Sequence, residues 1–316
     1  MKGSFPARAA AVLLACAAAA QQPQPQYRSK IAIYDLAKHA STTIYQADQV
    51  IEAPNWSHDG KFLLVNTGGS LYRLPVAGEA KLEKIDLGAG GYRCNNDKGF
   101  SWDGAMLAFS ASSPSARASQ VYLARADGTG AKLMVAATPS YFHGWSPDGK
   151  WLAFVGQRNG KFELYRVAAA GGEEQRLTSA GGYDDGPEYT PDGKWIYFNS
   201  NRTGGWDIWR IPADGAGTDD RKAEHVTNDA LEDWFPHISP DGKWMLVFSF
   251  PAGTKNHDGK MAGVVLRMAR VPGARLHPVK FQVLETFFGG QGTINVNSWS
   301  PDSRRFAYVI YEPLVK

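Results

Sequence analysis

Two cysteines in 316 residues, Cys16 and Cys94, are too few for a disulfide framework or a cysteine-based zinc site. Long apolar runs are missing too. The longest, residues 9–20, is too short to cross a bilayer as a helix. Neither sign of charge dominates: 34 Lys and Arg stand against 31 Asp and Glu, for a net charge of +3. That balance argues against nucleic acid, which would require a basic stripe. No Gly-x-Ser-x-Gly elbow exists for a hydrolase nucleophile, and no His-x-x-x-His for a local metal site. What is present is 43% hydrophobic residues, 12% of the chain aromatic, enough for a large core held by packing alone.

The amino terminus has the build of an export signal. Lys2 and Arg8 precede the apolar run, and Ala18-Ala19-Ala20 supplies a small-residue cleavage site before Gln21. Residues 1–20 are therefore expected to be a signal peptide and 21–29 a Gln/Pro-rich linker. Leu13-Leu14-Ala15-Cys16 resembles the lipobox of bacterial lipoproteins, although Leu14 is larger than usual at its position. Periplasmic or secreted location, soluble or lipid-anchored through Cys16, is the expectation; a transmembrane span is not. Losing Lys2 and Arg8 brings the net charge from +3 to +1. Cys94 then remains as the one thiol, expected as a small buried hydrophobe.

Six times a bulky apolar residue leads into Ser/Thr-x-Asp-Gly or a close variant. The Ser/Thr positions are 57, 101, 146, 190, 239 and 300, the first four 44 or 45 residues apart. Pro or another residue sets the first corner, Asp bonds amides two residues on, and Gly tolerates positive φ. After each turn comes a short apolar strand such as Trp151-Leu-Ala-Phe-Val155. A strand of alternating type such as Asp207-Ile-Trp-Arg210 follows, then a weaker fourth. A period of about 40–50 residues with four strands per unit predicts a β-propeller blade. Only one strand, 305–311, fits after Asp302. Residues 31–35 and 43–47 lack inner strands of their own. The chain is thus expected to be all-β: a six-bladed propeller over 30–316, closed by N-terminal outer strands that complete the last blade.

The segment Trp145-Ser-Pro-Asp-Gly-Lys-Trp-Leu-Ala-Phe154, with Leu164-Tyr-Arg-Val167, resembles the TolB-type, WD40-like propeller repeat of bacterial envelope proteins. Similar repeats occur in prolyl-oligopeptidase-like peptidases and, more distantly, in oligogalacturonate lyases. The resemblance spans about 30–316 and implies the fold rather than a function.

Repeats share scaffold, so departures from the shared pattern point to function. Two residues before the Ser/Thr stand Asn55, Gly99, Gly144, Glu188, His237 and Ser298. Strand parity turns this position toward the central channel, which predicts Glu188 and His237 as neighbours at its floor. The loops entering the inner strands carry Asp97, His143, Asp185, Asp233, Trp234, Gln291 and Asn295, and a post-strand loop adds Arg202. These sites are expected on the face opposite the Ser-Pro-Asp-Gly turns. Aromatics that stack on sugars, amides and acids that read hydroxyls and an Arg for a carboxylate suit a saccharide-like or peptide ligand. Asp97, His143, Asp185 and His237 could gather on a divalent cation. The lyase resemblance, which implies a metal held by His and Gln, adds His257 and Gln291.

Two functions follow. One is a non-catalytic, monomeric binding propeller, with envelope proteins among its partners. The other is a carbohydrate-active enzyme on the same face. For a glycoside hydrolase, Asp185 or Glu188 with Asp233 would flank the bond. For a lyase, His237 or His143 would take the proton α to a uronate carboxylate that Arg202 or a metal neutralises.

Overall fold

The computed structural model describes residues 26–274 and 276–314, so the expected signal peptide and the lipobox at Cys16 lie outside the described residues. Five four-stranded antiparallel sheets and a three-stranded one form the six blades. Their innermost strands are Glu52–Trp56, Arg93–Phe100, Ser140–Trp145, Asp184–Tyr189 and Glu232–Ile238 in blades one to five. Blade six is built from both ends of the chain. Arg305–Pro313 pairs with Tyr27–Asp35, which pairs in turn with Ala40–Ala47. The expected pair 31–35 and 43–47 is thus present, extended by several residues at the starts. The inner strand of blade six is reduced to one bridge, Trp299 to Phe306. Its approach runs from Gly289 to Asn297. It forms a single 3₁₀ turn over Gln291–Thr293.

All six turns are built alike. The Ser/Thr hydroxyl donates to the Asp Oδ1 two residues on, at 2.5–2.7 Å. The same oxygen accepts the amide that starts the next strand, as from Trp151 to Ser146 at 2.9 Å. The Gly at 60, 104, 149, 193 and 242 sits at φ of 70–72°, and Ser303 takes φ 59° in the sixth copy. A left-handed residue is therefore a requirement of the turn, and Gly is its least strained solution.

The apolar residue just before each turn packs between blades. Trp56, Trp145, Tyr189, Ile238 and Trp299 are all buried, at 1–6% exposure. Two of the indoles also bond across the seam. Trp145 Nε1 donates to Gly99 O and Trp299 Nε1 to His237 O, each at 3.1 Å and each on the preceding blade. Trp56 Nε1 has no such partner. On the outer side the Arg of the third strand serves a similar purpose. Arg166 and Arg210 lie 4.2 and 4.1 Å over Trp151 and Trp195, and donate to Ala213 O and Gly273 O of the next blade. Cys94 is buried, and burial pushes its thiol up to about 12, which leaves it inert at neutral pH.

Deleting residues 26–48 should abolish cooperative unfolding in urea, because it removes two of the three strands of blade six. A truncated chain that melts like the full one would rule this closure out. Trp145→Ala, a large-to-small change at a seam, should cost about 3–5 kcal/mol in the same measurement.

Candidate functional site

Inner strands one to five all lose register a few residues before the turn, between Glu52 and Asn55, Cys94 and Lys98, Phe142 and Gly144, Asp185 and Glu188, and Trp234 and His237. Ala53, Gly186 and Phe235 take positive φ there. A bulge re-aims the side chains around it, and here polar groups from several blades meet at the channel.

His143 is the centre of one meeting. Its Nε2 lies 3.0 Å from Asp185 Oδ1 and 3.8 Å from Asp97 Oδ1, and its ring stacks on Phe235 at 5.6 Å. Asn295, with its amide nitrogen turned toward blade two, donates to Asp97 Oδ1 at 2.8 Å and to Asn96 O at 3.2 Å. Asp97, His143, Asp185 and Asn295 are all buried. Burial drives the Asp97 carboxyl up to about 6, against the pull of His143. Burial alone would lower the His143 pKa, but the Asp185 hydrogen bond and both carboxylate charges outweigh it and leave it raised.

Glu188 and His237 meet as parity predicts. His237 Nδ1 is 2.6 Å from Glu188 Oε2, and His237 Nε2 bonds Ile294 O. The other carboxylate oxygen accepts from the Ile238 amide at 2.8 Å and from Asn297 Nδ2 at 2.6 Å. Every polar atom of this pair is engaged within the protein. The pair fastens blades four, five and six.

Other residues read as functional are held in internal networks. Arg202 donates twice to Asp184 at 2.9 Å, approaches Asp220 at 3.3 Å and lies over Trp209. Asp233 is wholly buried, bonded to Ser249 and paired with Arg267; burial outweighs the arginine and pushes it up to about 6. Trp234 is 2% exposed and packs against Trp206, Phe235 and His257. A buried indole offers no face to a sugar. Of the set placed around a cation, Asp97, His143 and Asp185 come together, while His237 turns to Glu188. His257 lies in an aromatic cage and Gln291 in the 3₁₀ turn. Among the described residues no three His, Cys, Asp or Glu side chains take up metal-holding geometry.

The cavity of the channel, about 200 Å³, opens at the Ser-Pro-Asp-Gly turns, the opposite end from the mouth expected on sequence. Trp56, Phe100, Trp102, Trp145 and Trp299 wall it, and Lys98, His143 and Glu188 reach its inner end. Lys98 is wholly buried and donates to Ala53 O at 2.6 Å and Asn66 Oδ1 at 2.9 Å. Burial brings its pKa down to about 7, against the charges of Glu52 and Asp97. The sequence reading missed it. The signal was one residue away: three before the Ser/Thr stand Pro54, Pro187 and Pro236, but also Lys98, His143 and Asn297. The blades that lack the proline add Lys98, His143 and Asn297 to the Glu188–His237 pair that two of the proline-bearing blades supply.

Because the folded pKa of Asp97 is raised, the native state binds more protons than the unfolded chain between about pH 4 and 6, so stability falls as pH rises through that window. The raised His143 acts in the same direction above its ordinary value near 6.5. Asp97→Asn should remove the lower part of this slope, on the order of 2–3 kcal/mol between about pH 4 and 7. Urea midpoints of both proteins across that range provide the check.

Comparison with known proteins gives the family. The model of the TolB beta propeller domain matches residues 99–264. An uncharacterised protein of Agrobacterium fabrum is 42% identical over 292 residues, covering 92% of this chain and 95% of its own. A solved structure from Agrobacterium tumefaciens designated a TolB superposes with a TM-score of 0.84 at 42% identity, over 91% of this chain and 99% of that one. TolB from Acinetobacter baumannii shares the fold at a TM-score of 0.58 and 18% identity, over 90% of this chain and 63% of its own. The chain belongs to the TolB β-propeller family.

Proposed function

We propose that this protein is a non-catalytic binding propeller of the bacterial periplasm, and that it takes a short apolar peptide segment of a partner protein into the turn end of its channel. The cavity wall carries the reading. Its tryptophans at 56, 145 and 299 are 3–6% exposed and leave little open face for a sugar ring to stack on, with Trp102 alone of the four half-buried. A volume of about 200 Å³ suits one or two peptide side chains.

Enzymatic readings fare less well on the same residues. Glu188 is saturated with hydrogen bonds, and Asp233 is sealed behind Arg267. His143 is occupied by two carboxylates. A general acid or base needs a reacting atom within reach, and these groups spend their contacts on one another. Periplasmic location is supported by the export signal read in residues 1–20 and by family membership. Among the described residues no helix is long and apolar enough to cross a membrane.

Gly99 lines the cavity, and a Cβ there would meet only the Phe142 ring at 3.4 Å and the Asn55 amide at 3.9 Å. Gly99→Leu should therefore fill the channel without disturbing its wall. Peptides selected from a random phage-displayed library on the wild-type protein should bind the variant at least about tenfold more weakly, with urea stability changed by less than about 1 kcal/mol. Equal binding by a stable variant would remove the channel as the site. Product release from polygalacturonate or neutral oligosaccharides would instead favour the enzyme.

A further inference from the structure

The channel mouth opposite the turns is crossed by part of blade five. The hairpin between Trp244–Phe250 and Met261–Arg270 carries a ten-residue loop, 251–260, whose ends are in blade five but whose contacts run along the ring. Gly253 N donates to Glu232 of blade five at 3.2 Å. Gly259 O lies against Gly290 on the approach to blade six. Lys260 Nζ reaches Glu52 of blade one at 3.2 Å and lies 4.6 Å over the Tyr311 ring. Asp258 is close enough to raise the phenol pKa values of Tyr141 and Tyr183 on blades three and four, adding to the larger effect of burial.

His257 is the one buried side chain in this loop. Its imidazole sits among Phe250 at 4.9 Å, Trp234 at 5.1 Å and Trp206 at 5.7 Å. Two polar atoms in that cage lack partners, His257 Nε2 and Trp234 Nε1. A neutral imidazole is tolerated there. An imidazolium would bring a charge and a second N–H donor into a site where one ring nitrogen already lacks a partner.

We propose that loop 251–260 is a strap closing the second mouth of the channel, and that protonation of His257 releases it. The charged groups around His257 are Glu232 from the inner strand of blade five and Asp258 and Lys255 of the strap itself; Tyr183, stacked on Trp206, is the nearest phenol beyond the cage. Burial, helped by Lys255, holds the imidazole below its ordinary value, while Glu232 and Asp258 pull the other way. The open strap therefore binds the proton more tightly than the closed one. Closure is complete above about pH 6.5 and weakens as the pH falls below it. Release would uncover the channel from the side of Asp97 and Asp185 and leave Glu52 without its lysine. This inference is independent of what occupies the turn-end cavity.

The Trp234 indole N–H is the reporter, because it lies in the cage with no partner to hold it. In the ¹⁵N-labelled full-length protein its resonance should be sharp and slow to exchange with water near pH 7.5. It should shift and exchange at least about tenfold faster, relative to intrinsic rates, toward pH 5.5. His257→Phe should stay closed across the range. Lys260→Met should raise the open fraction at every pH, since it removes the latch to Glu52 and the cation over Tyr311 while leaving His257 in place. A wild-type indole that does not respond between these pH values overturns the proposal, and this needs no variant to fold. An equal response in His257→Phe overturns the role of the imidazole.

Discussion

Nine residue pairs between Tyr27–Asp35 and Arg305–Pro313 turn an array of blades into a ring. Every other sheet is made from consecutive strands, so its contacts are local in sequence and can form independently. This one joins segments about 280 residues apart, with a loop-closure cost on the order of 5 kcal/mol. Ile31, Ile33, Val309 and Tyr311 bury their side chains in a core shared with Trp56 and Leu63 of blade one. That core offsets the cost and ties the closing blade to its neighbour. Closure also fixes the diameter of the channel, and through it which inner-strand side chains can touch.

Inside the channel, charged groups are brought together by geometry and satisfied by one another. His143 is hydrogen-bonded to Asp185 with Asp97 close by, and Glu188 contacts His237 and accepts from two amide donors. Lys98 is held by carbonyl oxygens alone at hydrogen-bond distance. Buried polar networks of this kind are costly unless complete. Here completeness means that each blade must stand at the right rotation to its neighbours. The polar channel is thus a device for setting blade register as well as a lining for a ligand cavity.

The turns and the strands were legible in the sequence because each depends on neighbours within one repeat. Ser146 and Asp148 specify their turn wherever the blade is placed. The pairing of Glu188 with His237 was also legible, since parity and blade adjacency suffice. What lay beyond reading was the identity of partners across seams and across the channel. Arg202 reads as a free cation until Asp184 and Asp220 are seen against it, and Trp234 as a platform until Trp206 covers it. Loop 251–260 follows blade five's second strand. That it reaches Glu52 on blade one depends on a ring curvature that no single repeat encodes.

The closing strands have a mechanical consequence. They run antiparallel with Tyr27 opposite Pro313, so the chain enters and leaves the ring side by side. A load that pulled the two ends apart would act across the strands rather than along them. It would break their hydrogen bonds one pair at a time, like a zipper, instead of shearing all nine together. The seam it would reach next, between blades six and one, is where the Trp56 indole lacks the bond that Trp145 and Trp299 make elsewhere. Closed as a ring by these nine pairs, the protein is, to a force on its two ends, a ring with a tear strip.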